Sequence, residues 1–236
     1  MVKRLVLLPG MHGTGELFSG FMHAVRRAMP DMGRMEALHY PTDERLSYKV
    51  LLAVVKDFVP PAEPFFLLAE SFSTPLAIQF AATMPPNLKG LVLCAGFAAS
   101  PIRGPKRFLA SCLAPILFRL PLPDLAVSFW LAGPGAPRSL HNAIRAAVSS
   151  VRPEVLSARL LAVLGCDVRQ ELSGIKVPIL LLQASGDRLV PASSVEEMLL
   201  IRPDAVLKII EGPHLLIQRE PQMAAAAVVE FIDPLN

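Results

Sequence analysis

"LLAESFSTPLA", residues 67–77, changes character at Ser71. The residues before it form an apolar run suited to a buried strand. Those after it are small, carry helical spacing, and place Pro75 where a first helical turn accepts it. A serine at such a junction has two readings. It caps the helix by accepting an N–H from the first turn, or it is a side chain held up at a strand end for chemistry.

The runs on either side widen the pattern. "RLVLL" (4–8), "FFLLA" (65–69), "LKGLVLC" (88–94), "VPILLLQ" (177–183) and "VLKII" (206–210) read as buried strands, with a weaker one at "MEALHY" (35–40). Between them lie stretches with helical spacing: 16–29, 45–59, 73–84, 193–201 and 221–232. Alternating strands and helices predict an α/β fold, a mostly parallel sheet of about six strands with helices on both faces. The alternation lapses between Phe97 and Leu172, where prolines are frequent and helices are predicted at 105–119, 123–132, 138–151 and 153–164. The expected organisation is a core of residues 1–98 and 173–236, with an all-helical lid, 99–172, inserted over the carboxyl edge of the sheet.

Composition limits the function classes. With 236 residues, 53% of them hydrophobic, the chain can bury the core of one substantial domain. A net charge of +3 with no Lys/Arg run gives no nucleic-acid footprint. Cys94, Cys112 and Cys166 form no CxxC pair and no disulfide framework, which fits a reduced, cytoplasmic setting. The opening "MVKRLVLLPG" loses its apolar run at Pro9 and reads as a first strand rather than a signal peptide. The longest apolar stretch, 109–133, is broken by Pro115, Arg119, Pro121, Pro123 and Asp124, so no membrane span is expected. Without HxH or HExxH spacing, neither a metal nor another cofactor is implied.

Ligands of open parallel sheets bind beyond the carboxyl ends of the strands. Four such places carry suggestive residues: "PGMHGTG" (9–15), Ser71, "SGDRLVP" (185–191) and "EGPHLL" (211–216). A serine hydroxyl needs a base to take its proton, and the base needs a carboxylate to orient it. Ser71, Asp187 and His214 supply those parts in the order Ser, Asp, His. Asp124 and Asp167 lie in the inserted region and read as solvated residues. Glu70 neighbours the serine and modifies its local field. His23, His39 and His141 read as structural or exposed.

On these residues the chain resembles the α/β-hydrolase superfamily. Ala69-Glu70-Ser71-Phe72-Ser73 stands where that family has its G-x-S-x-G nucleophile elbow, "GDRLVP" resembles its acid loop, and "EGPHLLIQREP" its histidine loop. Ala69 and Ser73 replace both elbow glycines, whose missing Cβ eases the sharp turn. Ser73 as nucleophile would put Ser71 and Pro75 in the glycine positions and the serine inside the helix. The resemblance implies an oxyanion hole from the amides of Met11 and Phe72, with Thr14 the alternative to Met11. "LLPGMHGTGELF" also resembles esterases and acyltransferases that read LPG-x-D-G-T-G, with His12 in place of Asp; His12 is a candidate substrate contact.

The expected activity is a serine hydrolase cleaving a carboxylic ester through an acyl-enzyme. One version acts on a methyl ester of a carrier-bound acyl chain, as in the biotin-precursor enzymes of the superfamily. A thioesterase, an acyltransferase and a non-catalytic receptor on the same fold remain alternatives. Apolar lid residues, Phe108, Phe129 and Trp130 among them, either pack the lid onto the sheet or line a slot for a hydrophobic acyl chain. Arg138, Arg145 and Arg152, with Arg159 continuing the seven-residue interval, form either a solvated face or a dock for an acidic partner such as an acyl carrier protein or coenzyme A.

Overall fold

Strand residues of this chain alternate between two apolar layers, and that alternation builds the sheet. In the computed structural model, which describes residues 4–60 and 62–235, the strands are β1 (Arg4–Leu8), β2 (Arg34–Ala37), β3 (Phe65–Glu70), β4 (Leu88–Cys94), β5 (Ile179–Ala184) and β6 (Val206–Ile210). They form one parallel sheet in the order β2-β1-β3-β4-β5-β6. Val6, Leu8, Leu67, Ala69, Leu91 and Leu181 face one layer; Leu5, Leu7, Phe66, Leu68, Val92 and Leu182 face the other. This two-residue period in a sheet covered on both sides is the α/β arrangement expected from the sequence.

Helices complete each layer. The first layer takes α2 (Tyr48–Phe58) through Leu51 and Val55, α3 (Thr74–Ala82) through Leu76 and Ile78, and α9 (Ala192–Ile201) through Val195 and Met198. The second takes α1 (Ser19–Ala28) through Phe21 and Val25, the short α10 (Leu216–Arg219) through Leu216 and Ile217, and α11 (Pro221–Ile232) through Ala224 and Val228. The strand order reverses between β1 and β3, where Leu8 pairs with Ala69. That switch point opens a crevice between the loops that follow the two strands. Ser71 and the "PGMHGTG" loop therefore meet there.

Between β4 and β5 the chain forms α4 (Pro105–Leu117), α5 (Asp124–Ala126) continuing into a π-helical turn (Val127–Ala132), α6 (Arg138–Ser149), α7 (Pro153–Leu164) and α8 (Arg169–Gly174). The two ends of this insertion meet in a short antiparallel bridge between Ala99 and Asp167, beside Ser100 N–H to Cys166 O (3.0 Å) and Val168 N–H to Ala98 O (2.7 Å). Helix α8 differs from the sequence reading, which has no helix there. Its Leu172 is buried in the first layer, so the chain rejoins the core before residue 172. A six-residue helix leaves too few turns for its period to stand out in sequence.

Candidate active site

A strained backbone sets the site. Ser71 follows β3 directly with φ +49°, a left-handed conformation that costs a non-glycine residue energy and survives only where the surroundings impose it. The surroundings are specific. Thr74 Oγ1 donates to Ser71 O (2.8 Å), and Tyr48 Oη donates to Phe72 O (2.8 Å) while its ring stacks on that of Phe72 at 5.0 Å. Ser73, standing where an elbow glycine is expected, uses its hydroxyl: it donates to Pro9 O and accepts from Tyr40 Oη at 2.7 Å. A polar side chain thus ties the turn after β3 to the loop after β1.

Three strand ends bring three side chains together. His214 Nε2 lies 2.9 Å from Ser71 Oγ, and His214 Nδ1 lies 2.8 Å from Asp187 Oδ2. The Asp187 side chain is fully buried, and its Oδ1 accepts the N–H groups of Leu189 (2.8 Å) and Val190 (2.9 Å). Two backbone donors hold that carboxylate in place. The carboxylate accepts from Nδ1–H, which leaves Nε2 as the acceptor for the serine proton.

A second trio shows what this arrangement adds. His141 Nδ1 lies 3.0 Å from Asp124 Oδ1 and its Nε2 3.3 Å from Ser128 Oγ. Yet the Asp124 side chain is 65% exposed and also pairs with Arg145, and Ser128 sits within a helical turn. Solvent and a competing cation dilute the effect of that carboxylate on its histidine.

Glu70, fully buried beside Ser71, accepts from Gln218 Nε2 (3.2 Å) and from the Gly10 N–H, while its Oε1 has no partner. Burial pushes its carboxyl above the usual range, opposed by the Gln218 contact, the neighbouring His214 imidazole and the Gly10 bond. His12 is buried, and its Nδ1 accepts from Thr14 N (3.2 Å). That bond selects the tautomer with the proton on Nε2. Burial, reinforced by the charges of Arg159 and His39, pulls His12 down to about 4.

Arg159 departs from the expected exposed stripe. It is 2% exposed, and its two terminal nitrogens donate to Met11 O and Pro41 O, each at 2.8 Å. Its guanidinium lies 5.7 Å from the Tyr40 ring centre and 5.9 Å from that of Phe72. Gly13, at φ +74°, lies so close that a Cβ there would sit 2.3 Å from Arg159 Nη1. The seven-residue interval fails as a face because α6 ends at Ser149, Arg152 precedes α7, and α7 turns Arg159 inward. Arg145 is engaged with Asp124; Arg138 and Arg152 are exposed.

The inserted segment touches the loops around the site. Leu215 N–H donates to Leu131 O (3.0 Å), Pro213 lies beside Gly133, and Arg152 N–H donates to Thr42 O (2.9 Å). Arg188, next to Asp187, covers the Phe129 ring at 4.1 Å and donates to Phe129 O. Phe129 and Trp130 meet edge to face and are about half exposed, while Phe108 is 74% exposed. None of the three is packed onto the sheet.

The family model described as serine aminopeptidase, S33, matches residues 48–221. This chain belongs to that family of α/β hydrolases. Among solved structures, the α/β hydrolase resembles a hydrolase from Oleispira antarctica at 12% identity and a TM-score of 0.82, covering 99% of this chain and 92% of that one. It also resembles an enol-lactonase from Burkholderia xenovorans LB400 (16% identity, TM-score 0.76, 99% and 92% covered). A structure from Nitrososphaera gargenis, described in work on carboxylesterases, matches at 15% identity and a TM-score of 0.76, with 99% and 91% covered. At these identities the likeness establishes the fold. No curated protein matches the chain. Among the described residues, no helix of this α/β hydrolase is long and apolar enough to cross a membrane.

Proposed function

We propose that this α/β hydrolase cleaves carboxylic esters of apolar acyl groups, with Ser71 as nucleophile, His214 as general base and Asp187 as the residue that orients His214. The observation that carries the reading is the His214 ring held between Asp187 Oδ2 and a serine oxygen that a left-handed backbone presents at the switch point. Ser71 Oγ attacks the acyl carbon while His214 Nε2 takes its proton. The carbonyl oxygen becomes an oxyanion, met by the N–H groups of Met11 and Phe72. Collapse expels the alcohol, which receives the proton from His214. Water, deprotonated by the same nitrogen, then attacks the acyl-enzyme and releases the acid.

Loss of both elbow glycines favours a non-catalytic receptor. Against it, Ser71 takes the strained conformation anyway, and Ser73 turns its replacement into a hydrogen bond. A carrier-protein dock draws little support, since Arg159 is buried and Arg145 is paired. A small ester with a hydrophobic acyl chain is the simpler substrate class.

The test is labelling by a serine-directed fluorophosphonate, read by intact mass, on wild type, Ser71→Ala and His214→Ala. A single adduct on wild type, absent from both variants, is expected; a folded wild type that takes no label overturns the proposal. p-Nitrophenyl esters of rising chain length, set beside an aminoacyl p-nitroanilide, then separate ester from amide specificity.

A further inference from the structure

Helix α4 is built inside out. Only Ala114 is buried, and Ala110, Ser111 and Phe118 beside it are half-covered on the side where the helix packs against α7. Phe108, Leu109, Cys112, Leu113, Ile116 and Leu117 repeat at intervals of three, four and one, which puts them along the opposite side. All six are exposed; Phe108 reaches 74%, and Ile116 and Leu117 both exceed half. A surface helix ordinarily turns its large apolar residues to the core and its small or polar ones outward. Here the small residues face the protein, and the side chains with most to gain from leaving water face out. Beyond the helix the chain adds exposed Leu120 and Leu125.

Charge narrows what covers this face. Residues 101–123 contain Arg103, Lys106, Arg107 and Arg119 and no carboxylate. Three of these cations cluster at the start of α4 and one follows its end, so the apolar stripe is bracketed by positive charge. Arg103 and Arg119 have partners in Glu197 and Glu154, both of them exposed pairs. Such pairs exchange readily with an external anion. A second copy of this chain would set four like charges against four. An acidic protein partner would meet the charges but would need an apolar ridge of matching shape, and α4 offers it a convex stripe rather than a groove. A surface of anionic phospholipid meets both requirements at once, with acyl chains for Phe108, Leu113 and Ile116 and phosphates for the cations at the ends.

We propose that α4 is an interfacial helix that seats this protein on anionic lipid bilayers, its outward apolar face entering the headgroup boundary without spanning the membrane. Arg188 ties the following π-helical turn to the acid loop, and α7 beneath α4 carries Arg159 to Met11. The seated face is thus part of the same segment that borders the candidate site. The proposal does not rest on the esterase reading, because binding is read without substrate.

The test is co-sedimentation of the full chain with vesicles of phosphatidylcholine, alone or mixed with phosphatidylglycerol, at low and raised salt, with light scattering on the protein alone. Three proteins are compared: wild type, the triple variant Leu109→Gln/Leu113→Gln/Ile116→Gln, and Lys106→Glu/Arg107→Glu. Wild type is expected to sediment with the anionic vesicles. The triple variant, losing three apolar side chains from the bilayer, weakens that partitioning by at least about tenfold on both compositions. The charge variant loses about tenfold on anionic vesicles only, and salt reproduces its effect. Both replace exposed side chains, and matching circular dichroism and melting curves establish that they fold. Wild type remaining in the supernatant with anionic vesicles overturns the proposal, as does undiminished binding by the folded triple variant. A wild-type dimer by light scattering that the triple variant abolishes, without vesicle binding, would assign the face to a second copy instead.

Discussion

At the scale of single residues, the departures from the family pattern are where this chain is most specific. Ala69 fits because its side chain lies in a strand paired with Leu8 and needs no unusual backbone. Ser73 does more than fit: the series Tyr40 O–H to Ser73 Oγ–H to Pro9 O links β2's loop, the elbow and the loop carrying Met11. Removing the middle of that series leaves the buried Pro9 carbonyl and the Tyr40 hydroxyl both unpaired. Ser73→Ala is therefore expected to lower unfolding free energy by about 1–3 kcal/mol, whereas Tyr40→Phe, which strands one acceptor lone pair, costs less. Denaturant unfolding of both single variants and the double variant measures this, and strict additivity would show the link to be absent. Ser71, Asp187 and His214 were legible in sequence because each lies just beyond the end of a strand, Ser71 directly and the other two within four residues. Ser73's use of its hydroxyl was not, since its partner Pro9 lies 64 residues away.

Among the elements, α7 has a role that its sequence hides. Seven-residue spacing places Arg159 with Arg145 and Arg152 on an outer face, but a break at Pro153 resets the helical phase. The guanidinium then lies beside the paired rings of Tyr40 and Phe72 and holds the carbonyls of Met11 and Pro41. The proposed mechanism uses the amides of Met11 and Phe72, and on that proposal Arg159 would be a positioning residue for the oxyanion hole. Arg159→Ala is expected to cost roughly 2–3 kcal/mol of stability by stranding two carbonyls. In Arg159→Lys one ammonium replaces a two-pronged donor. Its kcat should fall at least about tenfold with little change in KM, since oxyanion donors act chiefly in the transition state. Steady-state kinetics on a p-nitrophenyl ester reads the split; an equal rise in KM with kcat intact would reduce Arg159 to a structural rivet. Gly13 belongs to the same device, because its lack of a side chain admits the guanidinium.

For the whole molecule, the buried groups near the switch point couple stability to pH. His12 titrates near 4 when folded and near 6.5 when free, so between those values the unfolded chain binds a proton that the folded one refuses. Its contribution is complete above about pH 6.5 and drains as pH falls toward 4, to a limit of about 3 kcal/mol. His12→Asn offers Thr14 N–H an acceptor that does not titrate. Urea unfolding of wild type and variant across that window should show the wild-type slope flattened in the variant, and parallel curves would refute the assignment. The sequence by itself determined the alternation of strands and helices, the inserted helical stretch and the three residues at strand ends, because hydrophobic period and turn chemistry are local properties. The tertiary structure alone decided the inward turn of Arg159, the linkage through Ser73, the neutral buried His12 and the outward apolar face of α4. Each depends on which distant surface a side chain meets, and periodicity marks the face of an element without saying what lies against it.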